Sequence, residues 1–108
     1  MTTTTPALLD LPTGELLDRF ASADPTPGGG SASALAGALG STLATMVARL
    51  TLSKPSYAAV HGEAEAVQAD GLQLQALLAR AIDEDAAAYQ AVMAALNLLF
   101  SAVSILPR

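Results

Sequence analysis

From Thr13 onward, the apolar positions fall into three helical periods separated by two breaks. Leu16, Leu17 and Phe20 share one side of a short helix that Thr13 can cap and that runs to about Ser22. Residues 22–30 read Ser-Ala-Asp-Pro-Thr-Pro-Gly-Gly-Gly, and two prolines followed by three glycines predict a shaped loop. A second helix is predicted from Ser31 to about Ser53. Leu35, Leu39, Leu43, Met46 and Leu50 form one stripe of it, and Ser33, Gly37, Gly40, Ala44, Ala48 and Thr51 lie opposite. Small side chains admit a second backbone, so this helix should be central, with contacts on both sides. Lys54-Pro55-Ser56 breaks the chain. A third helix is predicted from about Ser56 to Ala95. Its three-and-four stripe runs from Tyr57 through Val67, Gly71, Leu78, Ala81 and Asp85 to Val92. Asp83, Arg80 and Gln90 are among the polar residues that fall off this stripe and should face water.

Outside the three periods, residues 1–12 read as a loose, flexible tail. Residues 96–108 are apolar almost all round and call for burial by a partner chain. No strand alternation or internal repeat occurs. The expected fold is all-α, a single domain over residues 13–108. It is a helical bundle with a small-residue central helix and one long helix, completed by dimerisation.

Composition narrows the function. Hydrophobic residues make up 52% of the 108, largely Ala and Leu, while aromatics are only 4%. A core without large side chains requires close helix approach. The net charge is −5 with five Lys and Arg, which argues against nucleic acid and against a polybasic membrane surface. The absence of cysteine excludes disulfides, thiolate metal sites and cysteine catalysis, and a single His61 excludes a His-rich metal site. Two runs approach membrane spans. Residues 30–52 are diluted by Ser, Thr, Gly and Arg49, and residues 91–106 fall short of the roughly 20 residues needed. No membrane role is expected, and with no signal-peptide pattern the expected location is cytoplasmic.

Two features carry chemistry. Pro25-Thr26-Pro27-Gly28-Gly29-Gly30-Ser31 opens a helix. Its glycines allow positive φ and let backbone N–H groups face a ligand, beside the positive end of the helix dipole. Ser31 can cap the helix or donate to a ligand oxygen; a sharp turn with a serine cap and no ligand is the competing reading. The second feature is Asp85, the only charged residue on the long stripe. A carboxylate buried there would have a pKa raised by desolvation and could act as acid or base. An ion pair with Arg49, or a stripe that drifts at this point, would explain it equally well. Asp83 lies about 160° around the helix from Asp85, so the two cannot share one buried site. His61 reads as a surface or half-buried residue. Lys54 and Arg49 either meet an anionic ligand or cap carbonyls at the end of the second helix.

Leu17-Asp18-Arg19-Phe20-Ala21-Ser22, then Pro25 to Ser31, then Asp83-Glu84-Asp85-Ala86-Ala87-Ala88-Tyr89 resemble, in order and spacing, the cyclodeaminase/cyclohydrolase family. That family comprises formiminotetrahydrofolate cyclodeaminase and methenyltetrahydrofolate cyclohydrolase, and the likeness covers roughly residues 15–95. It implies a helical homodimer, a tetrahydrofolate derivative as substrate, no metal and no separate cofactor. It assigns substrate contacts to Thr26, Gly28, Gly29, Gly30, Ser31 and Lys54, and proton transfer to Asp85 or Asp83; helical phase favours Asp85. One carboxyl group suits both reactions, protonating departing ammonia in one and deprotonating attacking water in the other. Beyond Met93-Ala94-Ala95 the chain departs from the family pattern, so the likeness is to the first half of the family domain. The alternative function is a non-catalytic helical oligomerisation module.

Overall fold

Proline and glycine set the boundaries of the helices. The computed structural model describes residues 6–104. Helix α1 spans Thr13–Ala21, with Pro12 as the residue before its first turn. The first N–H groups of a helix have no internal partner, so a proline there forfeits nothing. Thr13 lies inside the helix instead of capping it, and no side chain caps this end. At the other end the Ser22 hydroxyl donates to the Arg19 carbonyl (2.9 Å) and accepts from Asp24 N–H (3.3 Å). The Asp24 carboxylate then accepts from Thr26 N–H at 3.1 Å. These local bonds satisfy the loop backbone while the chain turns.

Helix α2 spans Gly29–Leu52, beginning two residues earlier than expected. A 3₁₀ segment, Pro55–Val60, leads into helix α3, His61–Ser104, which continues well beyond the expected end at Ala95. Among the described residues there is no strand, and the all-α expectation holds. At 1.5 Å per residue α3 is about 66 Å long, and the chain is correspondingly elongated, 77 Å by 28 Å by 28 Å.

The fold is built on the α2–α3 contact. The buried stripe of α2 is Ser31, Ala34, Ala38, Ser41, Thr45 and Ala48, at alternating steps of three and four. Facing it on α3 are Ala64, Gly71 and Ile82. A β-carbon at Gly71 would overlap Thr45 Oγ1 and lie 3.2 Å from the Ser41 carbonyl oxygen. One at Gly37 would stand 3.0 Å from a Leu78 methyl. The backbones therefore approach as closely as small side chains permit. The Ser41 and Thr45 hydroxyls donate back to Ala38 O (2.7 Å) and Ser41 O (2.9 Å), so neither donor is stranded in the interface.

Three expectations need correction. The small-residue face of α2 exists but is turned in phase: Ala34, Ala38 and Ser41 carry it, and nothing lies within 4 Å of where a Gly40 β-carbon would be. The Leu stripe opposite is not a second packed face within the chain, since Leu39, Leu43, Met46 and Leu50 are each about half exposed. On α3 Gly71 is buried and Leu78 half-buried as the stripe predicts, whereas Tyr57 and Val67 are 49% and 45% exposed, and after Leu78 the stripe slips. A seven-residue repeat lags a straight α-helix by about 20° per heptad. The buried position after Leu78 is therefore Ile82, 0% exposed, and Asp85 falls to the flank.

The expected tail is also partly structured. Leu8–Asp10 forms a 3₁₀ turn, and Leu8 packs with Leu16, Ala34 and Ile82 in one core cluster. Residues 1–5 of that tail lie outside the described residues. In contrast, every residue from Ala87 to Ser104 is exposed, including Leu98 at 74% and Phe100 at 66%. Residues 96–104, expected to be buried, have no cover within the chain, and residues 105–108 lie outside those described. By length and composition alone, α2 and the Pro55–Ser104 stretch are each long and apolar enough to cross a membrane.

Candidate functional site

Ile82 divides two carboxylates. Asp83 lies on one side of it, toward the N-terminal turn, and Asp85 on the other, toward the start of α2. The Asp83 carboxylate accepts the N–H of Leu8 at 2.7 Å and of Leu9 at 3.2 Å. It caps the 3₁₀ turn and is not merely solvated, as its position off the stripe had suggested. The Asp85 carboxylate lies against Gly30, so close that a β-carbon there would collide with it. Asp85 is exposed in the chain, which removes the argument that burial in an apolar stripe sets its chemistry. Its distinguishing feature is position: it places a negative charge beside the positive end of α2.

The Gly-rich loop works by close approach. No described residue has positive φ. Gly28 has extended backbone, and a β-carbon on it would stand 2.9 Å from the Pro25 carbonyl oxygen. Gly30 leaves room for Asp85. No side chain caps α2, so the N–H groups of Gly29 and Gly30 are not taken up by one. Ser31 serves neither of its expected roles. Its side chain is 0% exposed and its hydroxyl donates to the Ile82 carbonyl at 2.6 Å, tying the start of α2 to α3.

Thr26 is oriented differently. Its Oγ1 is buried and has no hydrogen-bond partner. An unmatched buried hydroxyl costs about 1–3 kcal/mol. The residue lines a cleft of about 280 Å³ together with Arg19, Pro27, Asp83, Ala86 and Gln90. Arg19 and Gln90 were not among the candidate residues. Their signal was available in the sequence: Gln90 is two turns beyond Asp83 on the same face, and Arg19 ends the helix that delivers the loop.

Lys54 is remote from this cluster. It follows α2, whose 24 residues span about 36 Å, at the end opposite the Gly-rich loop. Its ammonium lies 6.0 Å from the centre of the Tyr57 ring. Arg49 sits in the last turn of α2, so the ion pair with Asp85 is ruled out by the length of the helix. His61, part-buried, donates through Nε2 to the carbonyls of Thr51 (3.1 Å) and Lys54 (3.0 Å), which satisfies the end of α2. Among the described residues no cluster of His, Cys, Asp or Glu could hold a metal ion.

A close-packed helix pair, with a glycine loop at one end set against an acidic residue of the partner helix, defines the class of this domain. Residues 12–101 match the family described as formiminotransferase-cyclodeaminase, and the chain belongs to that family. It is similar to a methenyltetrahydrofolate cyclohydrolase of Methylorubrum extorquens, 42% identical over 82 residues, covering 76% of this chain and 39% of that protein. The chain thus spans about two-fifths of the length of the curated relative it matches. No solved structure matches it.

Proposed function

We propose that this chain acts on a tetrahydrofolate derivative whose one-carbon unit bridges N5 and N10 or is carried on N5, as a cyclohydrolase or cyclodeaminase with Asp85 as the acid and base. The observation that carries this reading is the contact of the Asp85 carboxylate with Gly30 at the open end of α2. The name of the similar cyclohydrolase supports it. In hydrolysis of a methenyl bridge, water attacks the bridging carbon and Asp85 takes the proton released. The same proton is then available to the ring or side-chain nitrogen that leaves the carbon. In cyclodeamination N10 closes on the formimino carbon, and the protonated carboxyl supplies the proton with which ammonia departs. The N–H groups of Gly29 and Gly30 orient the substrate, whereas Thr26, through its N–H to Asp24, and Ser31 and Gly28 hold the loop in shape. No metal or separate cofactor enters the scheme.

The active form in this proposal is a homodimer. Its support is the half-exposed leucine face of α2 and the uncovered stretch of α3. Lys54 can reach a folate site only from a second copy. The test is Asp85→Asn, with turnover of methenyltetrahydrofolate followed by its absorbance. Loss of general acid–base help lowers the rate by about 10²–10⁴-fold. Unchanged turnover ends the role of Asp85.

A second reading rests on a specific observation, the exposure of every residue from Ala87 to Ser104. An unbroken apolar helix of this kind suits a non-catalytic oligomerisation module. A stable oligomer in light scattering that binds no folate would favour it.

A further inference from the structure

Helix α3 has a second apolar strip, and it faces away from α2. Leu77 lies about 120° around the helix from Gly71 and about 140° from Ile82, two of the residues that meet α2. Leu74 and Leu77 are 47% and 53% exposed. With Asp70, Gln73 and Arg80, all exposed, they line one open groove along the helix. The groove carries a charge at each end, since Asp70 precedes the leucines and Arg80 follows them. Three turns of helix, about 15 Å, separate the two charges, so they cannot meet within one chain.

The order of these groups restricts what the groove can hold. Helix α3 carries six carboxylates, and Arg80 is its only Lys or Arg. A second copy of the helix laid parallel and in register sets Asp70 on Asp70 and Arg80 on Arg80, with like charges at both ends. Laid antiparallel about a two-fold axis near residue 75, it sets each Asp70 against the partner's Arg80 and each Leu74 against the partner's Leu77. One axis makes both ion pairs and both leucine contacts at once, which is the self-complementarity of an isologous interface. Arg80 lies about 80° around the helix from Asp70, a gap that its long side chain spans.

We infer that the outer face of α3 from Asp70 to Arg80 docks a second copy of this chain, antiparallel, with two Asp70–Arg80 pairs bracketing a cluster of four leucines. The inference goes beyond the folate reading and does not depend on it. The leucines supply the affinity by leaving water. The ion pairs fix orientation and register, because sliding the partner by one turn separates them and brings carboxylates together. This face and the leucine face of α2 lie on opposite sides of the helix pair, so the contact leaves the α2 face free.

The experiment is sedimentation equilibrium of the full chain at low ionic strength, where exposed ion pairs are least screened. The variants are Asp70→Arg, Arg80→Asp and the two together, with circular dichroism to check the fold. The wild type is dimeric. Each single swap turns both ion pairs into like-charge contacts and raises the dimer Kd at least about tenfold. The double swap restores both pairs with the charges exchanged and returns Kd to within about threefold of the wild type. Since the two positions cannot meet within one chain, that rescue reports a contact between chains. If a swap costs the fold, Asp70→Asn and Arg80→Gln carry the test, with a smaller rise in Kd of the same sign. A monomeric wild type overturns the inference, as do single variants that dimerise like the wild type or a double swap no better than the singles. Leu43→Glu probes the other face: a dimer that it abolishes and that ignores the charge swaps belongs to α2, and the α3 assignment falls.

Discussion

The Asp85 carboxylate rests on the bare Cα of Gly30, and any side chain at position 30 would occupy the space it uses. Gly30→Ala is therefore expected to displace the carboxylate while the helix itself gains propensity. A shift of about 1 Å in a reacting group can cost on the order of 10²-fold in rate. The expected result is a fold retained by circular dichroism with turnover reduced at least about tenfold. Normal turnover in Gly30→Ala would separate the contact from the chemistry.

Asp83 holds the N-terminal turn through two backbone N–H groups. Asp83→Ala removes both acceptors and leaves Leu8 held by packing alone. Hydrogen bonds to a charged acceptor contribute about 1.5–3 kcal/mol when sheltered, and the exposed Leu9 bond places this pair at the lower end. Urea unfolding should show that loss. Limited proteolysis should cut the variant within residues 6–11 faster than the wild type.

Two glycines of α3 predict opposite outcomes from one substitution. Gly71→Ala drives a methyl into Thr45 Oγ1 and close to the Ser41 carbonyl. The overpacking cost of about 1–3 kcal/mol exceeds the propensity gain of about 1 kcal/mol, so the helices part and the protein loses stability. Gly62→Ala meets nothing within 4 Å and should raise stability by up to about 1 kcal/mol. Thermal melts of the pair test whether close helix approach is what holds the fold.

Ile82 is the most buried large side chain, and it touches both the Leu8 turn and α2 through one cluster. Ile82→Ala is expected to cost about 2–5 kcal/mol, with the larger value if the cavity stays open. Because Leu8 shares the cluster, the amide of Leu8 should lose hydrogen-exchange protection in the same variant.

The helices, the breaks at Pro25–Gly30 and Lys54–Pro55, and the small-residue contact were legible because period and punctuation are local properties of the chain. The phase beyond Leu78 was not. A heptad pattern in an Ala-rich helix has many near-equal continuations, and the choice of Ile82 over Ala81 depends on where α2 lies. Asp85 stood out in the sequence as the one charged residue on a stripe, and its contact with Gly30 has another origin. It follows from the packing of glycine against the flank of α3 and not from burial on a stripe. The Asp83–Leu8 contact joins residues 75 apart in sequence, and nothing near either residue announces it. Lys54 was grouped with the loop by family likeness, and only the length of α2 shows that one chain keeps them apart.

Ser31 grips a main-chain oxygen, and every amino acid possesses one. The two positions joined by this bond are consequently under unequal demands. Position 82 need only fill its space, so valine or leucine would keep the anchorage intact. Position 31 must bring a short hydroxyl to a spot with no room to spare, and alanine or valine would release the glycine loop from the helix it leans on.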